Sequence, residues 1–264
     1  MRAPRVRSVL VPLNDLGGAP AAFFPGLDGG LGPACDFARY LPGTTLYGFT
    51  TVPLTPPGCT VEELAQRFLD LQATRRPAEH LIGFSFGAVV ALEVARRLAA
   101  AGPPPHVVLL DTALEVGTPD FGAADRALWY VARTAGVQLP LEQFLAASRA
   151  EQVQLLTRVP GSRLADHDEA AIEDLVTSID ATVAAAAAYR LRPHRGKVSV
   201  VAARDSPRTR PDAGFWHDLF PGGVTVQTVP GRHRDVLAPG HAGHTGRAVA
   251  ALISAANQRL EQVR

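Results

Sequence analysis

The chain has 264 residues, 47% of them hydrophobic, enough apolar material for one large α/β domain or two small ones. Its 26 basic and 25 acidic residues leave a formal charge of +1, which argues against nucleic acid or an anionic membrane surface as the main partner. Apolar runs stay short of the roughly 18–20 residues that a membrane span needs. The N-terminal run "VLVP" is broken at Pro12, too short for the apolar part of a secretory leader, so a cytoplasmic protein is expected. Cys35 and Cys59 make neither a metal motif nor a disulfide framework, and no metal site is expected.

Taken in chain order, strand-like runs alternate with helix-like runs, the pattern of βαβ units and a mostly parallel sheet. "VLVPL" (9–13) reads as an edge strand, "AAFF" (21–24) as a short buried strand closed by Pro25-Gly26, and "TLYGFT" (45–50) as a third. Thr60 with Glu63 forms a capping box, and Val61, Leu64, Phe68 and Leu71 follow at helical spacing. "EHLIGF" (79–84) is a strand running straight into Ser85, residues 86–101 are a helix ended by Gly102 and three prolines, and "HVVLLD" (106–111) is the next buried strand. From about 116 to 192 the pattern is helical throughout, with breaks at Gly136, Pro140, Pro160-Gly161 and Pro193. Strands return at "KVSVVAA" (197–203) and "VTVQTV" (224–229), with a short helix near 215–220 between them and a last helix from about 242 to 261. The expected architecture is one domain, with a core of 1–115 and 193–264 interrupted by a helical insertion.

"GFSFG" (83–87) sits where a strand meets a helix. A serine on that turn is lifted off the sheet edge, and flanking glycines let strand and helix approach closely. The free N–H groups and positive dipole end of the following helix lie beside it. The competing explanation is a small residue in a glycine turn; the flanking elements favour a nucleophile. Its base should follow the last strand, and among eight histidines His233, in "VPGRHRDVL", holds that place. His241 and His244 fall at the start of the final helix. For the orienting acid the residues leave two candidates, Asp111 at the end of "HVVLLD" and Asp205 at the end of "VSVVAARD". Either could equally be a strand-end aspartate capping a loop. Oxyanion donors are expected from the backbone N–H of Phe86 and, on position alone, from that of Leu27 in "FFPGLDGG".

"VLVPLNDLGGAPAAFFPGLDGG", "YGF", "HLIGFSFGAVVALEVARRLAAAG", "VVLLDT" and "VPGRHRDVLAPGHA" occur in that order. Together they resemble the thioesterase domains that end nonribosomal peptide synthetases and modular polyketide synthases, members of the α/β-hydrolase superfamily. The resemblance covers nearly the whole chain except the insertion. It implies an acyl chain delivered on the phosphopantetheine arm of an acyl or peptidyl carrier protein, no resident cofactor, and release by hydrolysis or macrocyclisation. In the chain-terminating class the triad aspartate follows the strand after the nucleophile helix, which implies Asp111; the separate editing thioesterases would imply Asp205. Phe84 and Phe86 around the serine fit the terminating class. Residues 116–192 would be a lid, with Trp129, Tyr130, Phe144 and Leu145 either lining an acyl channel or simply packing lid helices. Arg133, Arg149, Arg158 and Arg163 would face the carrier or be solvated. Residues 1–18 read as a join from a preceding carrier protein, although Met1 leaves a free-standing form open. A small-molecule ester hydrolase of the same fold, or a docking domain without chemistry, are the rival readings.

Overall fold

The computed structural model describes residues 7–52, 55–112, 129, 132, 140–158, 168–206 and 213–261. Tyr130, Arg133 and Arg163 lie outside the described residues. Contacts divide the chain into two units, one of residues 8–50, 61–114 and 190–264, the other of 1–7, 51–60 and 115–189. The second unit carries most of the insertion expected at 116–192, together with two short segments from earlier in the chain.

Among the described residues the first unit is built on a seven-stranded sheet in the order β1-β3-β2-β4-β5-β6-β7. The strands are β1 (Arg7–Pro12), β2 (Ala19–Phe24), β3 (Thr44–Val52), β4 (His80–Phe84), β5 (His106–Leu110), β6 (Val198–Ala203) and β7 (Val224–Val229). From β3 to β7 all neighbouring strands pair parallel. The central strands β4, β5 and β6 read as continuous apolar runs because helices cover both faces, so neither side of the strand meets water.

On one face α1 (Gly32–Ala38) and α8 (Ala242–Glu261) pack over Ala21, Phe23, Leu46, Ile82, Val108, Leu110 and Val201. The other face carries α2 (Val61–Gln72) and α3 (Phe86–Ala99). There the rings of Phe24, Phe49 and Phe68 meet in a trio with centroids 4.9–5.9 Å apart. Each buried phenylalanine contributes about 1.5–3 kcal/mol from area burial, and each ring pair about 0.5–1.5 kcal/mol more. β6 leads through α7 (Ala213–Leu219) to β7. The carboxyl ends of β4, β5 and β7 thus lie along one edge of a rigid sheet, and the turns that follow them carry Ser85, Asp111 and His233.

The second unit contains α4 (Leu141–Ala146), α5 (Arg149–Arg158) and α6 (Glu169–Ala188). Asp168 caps α6 by accepting from the Ala171 amide at 2.8 Å. Phe144 is fully buried, with Val153, Leu156, Ile172 and Ile179 also buried, whereas Leu145 is exposed. The Gln152 amide donates to the Phe144 carbonyl, and Arg149 pairs with Asp180 at 3.2 Å.

Candidate active site

β4 ends at Phe84 and α3 begins at Phe86, so Ser85 makes the whole turn by itself. It does so at φ 53° and ψ −119°, a conformation that costs a non-glycine residue on the order of 1–3 kcal/mol. The neighbours hold it there. The Ser85 amide donates to the Leu110 carbonyl at 3.1 Å, and the Ser85 carbonyl accepts from the Thr112 hydroxyl at 2.9 Å and from the Ala88 amide. The flanking glycines are steric necessities: a Cβ on Gly83 would lie 2.4 Å from the Ala88 Cα, and one on Gly87 2.0 Å from the Phe24 carbonyl oxygen. Ser85 is 6% exposed.

Asp111 follows β5 and is completely buried, also with a positive φ, of 39°. Its amide donates to the Val201 carbonyl at 2.8 Å. One carboxyl oxygen accepts from the Ala203 amide at 2.9 Å, and the other lies 2.8 Å from Nδ1 of His233. His233 opens a short 3-10 turn after β7. Gly231 bends the chain there at φ 97°, and the Asp235 carboxylate accepts from the Arg232 amide at 2.9 Å, which closes the turn. Nε2 of His233 stands 3.1 Å from Oγ of Ser85. A buried carboxylate can only accept, so it fixes the proton on Nδ1 and leaves Nε2 to accept from the serine hydroxyl.

Both ring nitrogens of His233 are therefore occupied by Asp111 and Ser85. Asp205 is exposed beyond β6, and its backbone N–H donates to the Gly231 carbonyl at 2.9 Å. It helps shape the loop that carries His233 through its main chain. His241 also stands against that loop: a Cβ on Gly231 would meet its ring at 3.0 Å.

The turn after β2 runs against the serine. The Gly29 amide donates to the Gly26 carbonyl at 3.0 Å, a closure that does not use the Leu27 N–H. A Cβ on Gly26 would come within 3.7 Å of the Ser85 Cβ, so this turn and the start of α3, with the Phe86 amide, both border Ser85. Beside Leu27, burial pushes the Asp28 carboxyl up from its ordinary range, against a hydrogen bond from the Gly30 amide that lowers it. Three features carried no signal in the sequence: the Thr112 tether on Ser85, the left-handed backbone of Asp111, and the Phe84 ring stacked on His233.

A strained buried serine, an imidazole nitrogen that accepts its hydroxyl and a buried carboxylate behind the ring can deliver an alkoxide-like nucleophile to a carbonyl carbon. A family model described as a thioesterase domain matches residues 35–253 of this sequence. The chain belongs to the thioesterase domain family. It is an enzyme with the α/β-hydrolase fold.

The thioesterase is 27% identical over 201 residues to the vanchrobactin synthetase VabF of Vibrio anguillarum, covering 74% of this chain and 6% of that protein. It superposes on the four-domain nonribosomal peptide synthetase holo-AB3403 with a TM-score of 0.73 at 18% identity, over 94% of this chain and 20% of that one. The NocB thioesterase domain of the nocardicin cluster gives 0.64 at 22% identity, over 94% and 98%. The chain thus spans a small part of the synthetases it matches and nearly all of an isolated thioesterase domain. Among the described residues no helix is long and apolar enough to cross a membrane, and no cluster of three metal-ligating side chains occurs.

Proposed function

We propose that this thioesterase releases an acyl or peptidyl chain from the phosphopantetheine arm of a carrier protein through an acyl-serine intermediate. Ser85 is the nucleophile, His233 the general base and acid, and Asp111 the orienting carboxylate. The observation that carries the reading is the unbroken relay from Asp111 through His233 to Ser85, with hydrogen-bond distances of 2.8 and 3.1 Å. The relatives support the substrate class: VabF and holo-AB3403 are named as synthetases, and NocB as a thioesterase domain that forms a covalent complex with a fluorophosphonate nocardicin G analogue.

As Oγ of Ser85 attacks the thioester carbonyl, Nε2 of His233 takes its proton and the imidazolium is stabilised by Asp111. The Leu27 and Phe86 amides donate to the oxygen that becomes negative, each such donor being worth about 10²–10³ in rate. The tetrahedral adduct collapses, the carbon–sulfur bond breaks, and the pantetheine thiol leaves with the proton from His233. Water or a hydroxyl or amine of the same acyl chain then attacks the ester carbonyl, with His233 taking its proton; the bond to Oγ of Ser85 breaks and His233 returns the proton to that oxygen, giving an acid or a macrocycle. All these steps use the chain's own groups, and no metal or redox cofactor enters.

The test is turnover of an acyl-N-acetylcysteamine thioester. Ser85→Ala should lower kcat by about 10⁴-fold or more with the fold intact by circular dichroism. Turnover that survives this change would remove Ser85 from the mechanism.

A further inference from the structure

Phe84 is the last residue of β4, and its backbone leads directly into Ser85. Its ring is half-buried against the core shared by β2, β4 and β5. It lies almost flat on the imidazole of His233, with centroids 4.9 Å apart and planes inclined by 19°. The opposite neighbour is the turn after β2: a Cβ on Gly26 would sit 3.3 Å from the Phe84 ring. One ring therefore touches the imidazole, the residue before Leu27 and, through the chain, the serine.

We propose that Phe84 is a positioning residue that fixes the plane of His233 and raises its proton affinity. The inference rests on the proposed base role of His233. Two hydrogen bonds hold the imidazole by its edge at Nδ1 and Nε2, but they leave it free to rock about the line joining them. A flat apolar surface against one face removes that motion and keeps Nε2 aimed at Oγ. The same surface excludes water from the Asp111–His233 hydrogen bond. When His233 takes the serine proton, the ring presents its electron-rich face to the imidazolium, an attraction that neutral imidazole lacks. Relative to an aliphatic side chain that excludes water equally, the charged form gains, and the base holds its proton more tightly.

A fluorophosphonate probe reads this without knowledge of the acyl substrate, because it phosphonylates the serine and reports the base through its pH profile. Labelling rates are measured between pH 5 and 9 on the wild-type chain and on Phe84→Leu, Phe84→Tyr and Phe84→Trp. Phe84→Leu keeps a large apolar side chain and loses the aromatic face. Its plateau rate should fall about three- to tenfold, and its pH midpoint should drop by about half a unit. Phe84→Tyr should restore both values to near wild type, and Phe84→Trp, with the stronger π face, should move the midpoint up. A ring that only fills space would change the thermal midpoint and leave the pH midpoint in place.

If Phe84→Leu fails to fold, the Trp and Tyr variants decide: a midpoint that follows the aromatic series supports the proposal, and one indifferent to it overturns it. A wild-type midpoint and plateau in folded Phe84→Leu would also overturn it. Absence of labelling in the wild-type chain would instead strike the nucleophile assignment, and so would be distinguishable from failure of the Phe84 proposal.

Discussion

Asp111 holds a carboxyl oxygen 2.8 Å from Nδ1 of His233 although 122 residues separate them in the chain. The contact depends on adjacent parallel strands. β5 delivers Asp111 and β7 delivers His233, while β6 between them donates the Ala203 amide to the second carboxyl oxygen. A buried carboxylate with a donor on each oxygen is fixed in direction.

Asp111→Asn should therefore lower kcat on a thioester mimic by about 10⁴-fold, because an amide can donate to Nδ1 and favours the wrong tautomer. Asp205→Asn should leave kcat within about threefold, since only its main chain bears on the His233 loop. Steady-state kinetics on the two variants checks this. A collapse confined to Asp205→Asn would reverse the assignment.

Gly87→Ala should be among the most destabilising small substitutions in the chain. Its Cβ would meet the Phe24 carbonyl oxygen at 2.0 Å, and the partner is backbone at the carboxyl end of β2, which cannot swing aside as a side chain would. A loss of about 2–4 kcal/mol is expected. Urea unfolding measures it, and a loss below about 0.5 kcal/mol would contradict the close strand–helix approach.

At the amino ends of the strands lies a second set of buried histidines. Nδ1 of His80 is 3.3 Å from Nδ1 of His106, and Nε2 of His106 is 2.9 Å from the Ser199 hydroxyl. Burial pushes both rings down, His106 to about 3, helped by repulsion from His80 and Lys197. Burial also lowers His194. The unfolded chain protonates these rings near 6.5 and the folded chain does not, so their contribution to stability is full above pH 6.5. For His106 it is lost as pH falls toward about 3, by up to about 1.4 kcal/mol per pH unit, and the lowered His80 and His194 act in the same direction. Denaturant unfolding between pH 7.5 and 4.5 should show this decline, and His106→Gln should flatten it. Equal slopes in the two proteins would show that the pair is not the source.

Glu93 is 1% exposed on α3 and is held by Arg96 through two hydrogen bonds of 2.7 and 2.8 Å and by Arg97 at 2.7 Å. Glu93→Ala leaves two guanidinium groups without this carboxylate, and a loss of about 2–4 kcal/mol in unfolding free energy is expected. Calorimetry at neutral pH measures it; an unchanged melting temperature would contradict the role given to Glu93 and its two arginines.

The strands and long helices were legible because burial on both faces writes continuous apolar runs, and because "GFSFG" and "GRHRD" fall at the ends of such runs. α1 was not legible: it is seven residues long, begins with proline in its first turn and has no side-chain cap. The insertion could be read only as helical with breaks, since α4 and α5 are short and their boundaries depend on Pro140 and Ser148 in context. The choice between Asp111 and Asp205 was open from the residues themselves, because both end apolar strands. What separates them is the step between strands, which no local pattern records. The stacking of Phe84 on His233 is a contact between a strand end and a loop far along the chain, and it has no local signature at all.

The proposed function stands on acylation of Ser85. The most direct measurement is intact-protein mass spectrometry after rapid mixing with an acyl-N-acetylcysteamine thioester, followed by peptide mapping. A mass increase equal to the acyl group is expected, located on the peptide containing Ser85 and absent from Ser85→Ala. Turnover by Ser85→Ala at the wild-type rate, or an acyl adduct on any other residue, would contradict it.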